Sequence, residues 1–196
     1  EKADSGTVLL NNKDITNIKS NKLKEIYKDI QMVFQDAIGS FNPRFTIEES
    51  IMEYVCNLCS TTEADKKHKV DNLLRMVGLS KEYKYRYPHE LSGGQCQRAA
   101  IARALSAQPK ILVCDEATSA LDVSVQAQIV ELLKEMQEKM NISYLFITHD
   151  LALVSSFCDR VAVMKNGKIV EVGDTKEVIN NPKDEYTKLL IKSAYF

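Results

Sequence analysis

The sequence predicts an α/β fold: a parallel, doubly wound sheet core with an inserted α-helical subdomain. Three observations carry this reading. Apolar runs at 110–115, 142–148, 161–164 and 168–172 are each bounded by polar residues or glycine, as strands buried in a sheet are. Between the first two lies an amphipathic stretch with Ile129, Leu132, Leu133, Met136 and Met140 on one stripe. Strands that alternate with helices imply parallel pairing. From Gln35 to about Pro88 the apolar spacing turns helical instead. That places a helical insertion at about 36–98, or to about 107 with the helix that follows, between core segments 1–35 and 108–196.

Thr7 to Leu10 is a short apolar run closed by Asn11-Asn12, a strand and its turn. Ile30 to Phe34 is a second short strand. Helical spacing follows in Ile47 to Leu58 and in Lys69 to Val77, where Val70, Leu73, Leu74 and Val77 form the apolar stripe. Thr62 and Asp65 are placed to cap the second of these helices. In the helix after Asp115, Glu135 and Lys139 are ordered for a favourable i,i+4 pair. No internal repeat or low-complexity tract interrupts the pattern.

Composition narrows the function classes. With 44% apolar and 27% charged residues and a formal net charge of -1, the 196 residues carry an ordinary soluble composition. The basic residues are spread along the chain, so no footprint for nucleic acid forms. No apolar run approaches a membrane span, and EKADSGTVLL does not read as a signal peptide. Five cysteines at irregular spacing argue against a disulfide framework. Cys56 and Cys59 form a lone CxxC without a second pair or a nearby histidine, so they read as two small buried helix residues.

Three stretches carry chemistry. LSGGQCQRAAIARAL at 91–105 puts a serine and two glycines before a helix-forming run, which is how a chain presents N–H groups to a phosphate. No lysine follows these glycines, and GxxxxGK[ST] does not occur in the 196 residues; Gly167-Lys168 comes nearest, with Ala162 where the first glycine belongs. The run from Lys110 delivers Asp115 and Glu116 together at the carboxyl end of a buried strand, where open α/β sheets bind ligands. One carboxylate suits Mg²⁺ held through water, the other a water to be oriented or deprotonated. Alone, the pair fits a solvated acidic turn equally well. Tyr144 to His149 is a second apolar strand, ending in a histidine. Parallel strands bring their ends to one edge, so His149 is expected beside Glu116.

The order Gln35, LSGGQ, ILVCDE, SALD (Ser119 to Asp122) and THD resembles the ATP-binding subunits of ABC transporters over essentially the whole chain. The resemblance implies a P-loop NTPase-type (ABC ATPase) core and the cofactors ATP and Mg²⁺. By the same resemblance, Glu116 is the catalytic glutamate and His149 the switch histidine. Gln35 is the glutamine that touches magnesium or the attacking water, and Asp115 binds Mg²⁺ through water. Ser92, Gly93, Gly94 and Gln95 form the signature loop, and Asp122 belongs to the D-loop. Ala117 stands where the family commonly has proline, which leaves that turn less restrained.

The resemblance also accounts for the missing lysine. The signature loop of one subunit closes on the γ-phosphate held by another, so each supplies half of a two-fold site. The family's own phosphate loop and adenine-stacking aromatic residue fall before Ser5. A shortened chain or gene, or a longer polypeptide, is expected over a deliberately halved domain. The 196 residues by themselves are therefore expected not to hydrolyse ATP.

Stretches 35–49, 86–105, 119–133 and 180–190 resemble the peptide and nickel importer branch. That branch implies a second ATPase subunit as partner, more readily non-identical than identical. It also implies permease subunits met through Gln35 to Ile47, with Asn42, Pro43 and Arg44 at the contact, and indirectly an extracellular substrate-binding protein. The sequence of those three residues fits a simple turn and helix start equally well. The location implied is the inner face of the cell membrane. A soluble ABC ATPase acting in DNA repair or translation is the other class considered. The transported substrate is not encoded here.

Overall fold

The computed structural model describes residues 3–18, 20–58, 63–119 and 121–194. Its centre is a three-stranded parallel sheet of β3 (Ile30–Val33), β4 (Ile111–Asp115) and β5 (Ser143–Ile147), with β4 in the middle. Ile30 pairs with Ile111, and Ile111 with Ser143, so the strands start level. Their carboxyl ends consequently open on one edge.

Two antiparallel hairpins stand apart from that sheet. In the first, β1 (Leu9–Leu10) pairs with β2 (Lys13–Asp14) across Asn11-Asn12. Both asparagines are left-handed, with φ 49° and 61°, as the tight turn of a two-residue hairpin requires. The strand expected at 7–10 is thus shorter, and its partner carried no apolar signal. In the second, β6 (Arg160–Lys165) pairs with β7 (Lys168–Asp174). These two runs do not join the parallel sheet, because Asn166 (φ 50°) and Gly167 (φ 76°) turn the chain straight back. Gly167 therefore serves a hairpin, not a phosphate.

Eight helices are described. Helix α1 (Ser20–Asp29), which the sequence reading did not anticipate, leads directly into β3. It is strongly polar overall, and this masks its single apolar face. Helices α2 (Ile47–Leu58) and α3 (Glu63–Met76) fall where helical spacing placed them. Thr46 caps α2: its Oγ1 accepts from Glu49 N at 3.2 Å, while Glu49 Oε2 accepts from Thr46 N at 2.7 Å. The cap expected at Thr62, and Cys59, lie outside the described residues. Cys56 is exposed rather than buried. The inward stripe of α2 runs through Ile47, Ile51 and Val55, and the next residue along a helix turns about 100° away from that face.

Helix α4 (Gly93–Leu105) is the most buried of the set, and its alanines let neighbours approach closely. Helix α5 (Val123–Met140) connects β4 to β5 and buries Ile129, Leu132, Leu133 and Met136. Its Glu135 and Lys139 pair at 2.9 Å. Helices α6 (Leu151–Phe157), α7 (Thr175–Asn180) and α8 (Glu185–Ala194) complete the chain.

One apolar cluster runs from Val33 through α2, α3 and α4 to Leu112 and Ile142. Arg103 is buried with it, 7% exposed. Its guanidinium donates to Ser40 O at 2.7 Å and Ser40 Oγ at 2.8 Å, and lies 4.2 Å from the Phe41 ring centroid. These contacts fasten the loop after β3 to α4. Burial pushes that guanidinium's pKa below its usual value. Among the described residues no helix is long and apolar enough to cross a membrane.

Candidate functional site

The level sheet sets three side chains at one edge. Gln35 lies two residues beyond β3, Glu116 one beyond β4, and His149 two beyond β5. The ladder continues past β4, since Glu116 N donates to Ile147 O at 2.9 Å. Glu116 itself turns left-handed, φ 45°. That conformation is sparsely populated for a residue with a Cβ and costs about 1–3 kcal/mol unless neighbours fix it. Here Ser119 fixes it: its N–H and hydroxyl both donate to Glu116 O, at 3.1 and 3.0 Å.

The Glu116 carboxylate is held from both sides. Gln35 Nε2 donates to Oε2 at 2.6 Å. His149 Nδ1 lies 3.1 Å from Oε1, hydrogen-bonding distance for a proton on Nδ1. The Ser119 hydroxyl stands 3.5 Å from both Oε2 and Gln35 Nε2. Glu116 is partly exposed and His149 largely so, so water reaches both. The structure thus brings Gln35, Glu116 and His149 together, and adds Ser119. Ser119 opens the SALD motif in the sequence, but its contact with Glu116 was not legible there, because only the left-handed turn carries it back over the carboxylate.

Asp115 ends β4 opposite Ile147. Among the described residues nothing donates a hydrogen bond to its carboxylate or to Gln35 Oε1. Two uncommitted hard oxygen donors suit a magnesium ion, so Gln35 and Asp115 fit the ion expected of them.

Ser92, Gly93, Gly94 and Gln95 open α4. Ser92 Oγ accepts from Gln95 N at 3.4 Å, and Gln95 Oε1 accepts from Ser92 N at 3.0 Å, a closed capping box. The first-turn N–H groups of Gly93 and Gly94 have no partner within the helix. Close approach explains the second glycine: a Cβ there would stand 2.6 Å from Val125 Cγ1. Asp122 caps α5, accepting from Val125 N at 3.0 Å and from Ser124 Oγ at 2.6 Å. These bonds hold its pKa below the usual carboxylate value. Ala120, inside the same motif, lies outside the described residues.

A cleft of about 230 Å³ lies between the loop after β3 and the start of α4, lined by Gln35–Ile38, Gly93, Gln97, Ala117 and Leu121. Behind His149, Asp150 caps α6 by accepting from Ala152 N and Leu153 N, and Gln126 Nε2 donates to it at 2.5 Å. This bond ties α5 to the histidine loop. Gln126 carried no signal in the sequence, since it belongs to the polar face of an ordinary amphipathic helix.

Known proteins resemble this chain in sequence and fold. The chain is 47% identical over 189 residues to the dipeptide transport ATP-binding protein DppF of Lactococcus lactis subsp. cremoris, covering 96% of this chain and 61% of that protein. It is 47% identical over 194 residues to the oligopeptide transport ATP-binding protein OppF of Salmonella typhimurium, covering 98% and 58%. The chain therefore spans about three fifths of the length of these relatives. Among solved structures, it superposes with TM-score 0.78 on the dimeric, post-hydrolysis ATP-binding cassette MJ0796 bound to ADP and Pi. That match has 28% identity and covers 89% of this chain and 75% of the other. The family model for the ABC transporter matches residues 1–119, and the chain belongs to the ABC transporter family.

Proposed function

We propose that this chain is part of the ATP-hydrolysing subunit that powers an ABC importer, with peptides as the transported class. The observation that carries the chemistry is the Glu116 carboxylate, held between Gln35 and His149 at the shared carboxyl edge. The names of the relatives, dipeptide and oligopeptide transport ATP-binding proteins, support the substrate class over nickel.

In this reading Glu116 accepts a proton from the water that attacks the γ-phosphate, while His149 contacts the phosphoryl group. Gln35 and, through water, Asp115 would hold Mg²⁺, which would supply positive charge against the phosphates. Because Gln35 donates to Glu116, drawing its amide toward nucleotide frees one oxygen of the base. Ser92 to Gln95 face the nucleotide of a second ATPase subunit, and Asp122 lies at that interface. The dimeric state of the MJ0796 cassette supports such pairing; two non-identical subunits are the arrangement expected here.

Asn42, Pro43 and Arg44 are exposed at the head of α2 and are the contact proposed for the permease. Arg103 joins the same loop to α4. Residues of about 36–107 therefore transmit closure from the signature loop to the membrane partner, on the inner face of the cell membrane. An extracellular binding protein acts indirectly, through the permease.

Two measurements test this. In the assembled transporter, Glu116→Gln should lower ATP turnover at least about 10²-fold while favouring the closed, ATP-bound pair; turnover at the wild-type rate would remove Glu116 from the mechanism. The 196 residues purified alone should not turn over Mg-ATP, for want of a GxxxxGK[ST] cradle. Robust turnover that Glu116→Gln abolishes would show that the cradle is not needed.

A further inference from the structure

Gln95 has a partner outside its own loop. Its Oε1 is committed to Ser92 N–H at 3.0 Å, and its Nε2 donates to the Tyr83 hydroxyl at 2.9 Å. The two ends of one amide are thereby both committed, one accepting and the other donating. Tyr83 sits in the 3₁₀ turn Lys81–Tyr85, which is itself anchored at several points. Lys84 Nζ pairs with Asp71 Oδ1 of α3 at 2.7 Å. The Arg86 guanidinium lies 5.0 Å from the Tyr83 ring centroid, and Arg86 O accepts from Ile47 N of α2 at 2.9 Å.

We propose that Tyr83 is a positioning residue for the signature loop: it holds the Gln95 amide so that Ser92, Gly93 and Gly94 keep one fixed set of outward donors. Ser92 N–H is occupied by Gln95 Oε1 and Ser92 Oγ accepts from Gln95 N, so the serine hydroxyl proton is the donor of that residue not used within the loop. Ser92 and Gly93 are exposed at the head of α4, where this proton and the Gly93 and Gly94 N–H groups form the donor set. This rests on the proposed role of the loop toward a second subunit's nucleotide. The bond from Tyr83 is what makes that donor set independent of solvent competition for Gln95.

Tyr83→Phe removes only the hydroxyl and tests the idea in two ways. Hydrogen exchange at the Ser92 amide should quicken roughly three- to tenfold, the size expected for one lost hydrogen bond, with α5 amides unchanged. ATP-dependent association with an intact partner cassette should weaken by a similar factor, and on a Gln95→Ala background Tyr83→Phe should add nothing. Unchanged Ser92 exchange, or equal quickening throughout α5, would overturn the positioning role. So would an equal loss of association in the Gln95→Ala background. If Ser92 exchange responds while the wild-type protein shows no ATP-driven association at all, the positioning stands and the proposed function fails.

Discussion

At the scale of single residues, Asp122 shows how a site residue also serves the fold. Its carboxylate accepts from Ser124 Oγ and Val125 N, so it caps an 18-residue helix while belonging to the loop proposed for the subunit interface. Asp122→Ala should lower the melting temperature by roughly 2–4 °C, as the loss of a helix cap does. The pH dependence has a definite sign. The carboxylate's folded pKa lies below its unfolded value, so its contribution is present above the unfolded value and is lost as pH falls through the folded one. The gap between wild type and Asp122→Ala, followed by thermal melts, should therefore close as pH drops below about 4. Glu116 follows another logic, since its left-handed backbone spends conformational energy to aim a carboxylate.

Among elements, the junction of α4 and α5 is where site and core meet. Gly94 lies against Val125 so closely that any Cβ would overlap the valine methyl at 2.6 Å. Gly94→Ala should destabilise by about 1–3 kcal/mol, the usual cost of overpacking. Val125→Ala introduced alongside should restore most of that loss. Chemical denaturation of the two single variants and the double variant would show it as non-additivity. If Gly94→Ala melts like wild type, the two helices are not wedged as described. The buried cysteines belong to the same scale. Burial raises the Cys96 thiol to about 11 and the Cys114 thiol to about 12, so both stay protonated and serve as small apolar fillers. Thiol reagents should label exposed Cys56 well before either.

Over the whole molecule, the parallel sheet is covered unevenly. One side packs on the apolar cluster, whereas Leu145 and Ile147 of β5 are 55% and 49% exposed. Among the described residues β5 pairs only with β4, so its other edge carries unpaired backbone groups. A strand with an open edge and an uncovered apolar face is a site of association. The 196 residues purified alone should self-associate at micromolar concentration. Leu145→Lys with Ile147→Lys should reduce this, as read by light scattering; an unchanged size distribution would place the sticky surface elsewhere.

Some of this protein was legible without a structure because it is local. Helix stripes such as Val70, Leu73, Leu74 and Val77, the strand feeding Asp115 and Glu116, and the serine and glycines that open α4 each depend on neighbours a few residues away. The order of motifs was equally local information, and it sufficed to identify the family. Other features needed the tertiary structure, because they depend on where distant segments come to rest. The antiparallel return at Asn166-Gly167 separates β6 and β7 from the parallel sheet. Helix α1 was hidden by its polarity. Cys56 is exposed because one helical step carries it off the buried face. Ser119 reaches Glu116 only through a left-handed turn, and Tyr83 meets Gln95 twelve residues on. Tyr83, Tyr85 and Tyr87 look alike in sequence, and only the packing of the 3₁₀ turn on α2 and α3 decides which hydroxyl meets the loop.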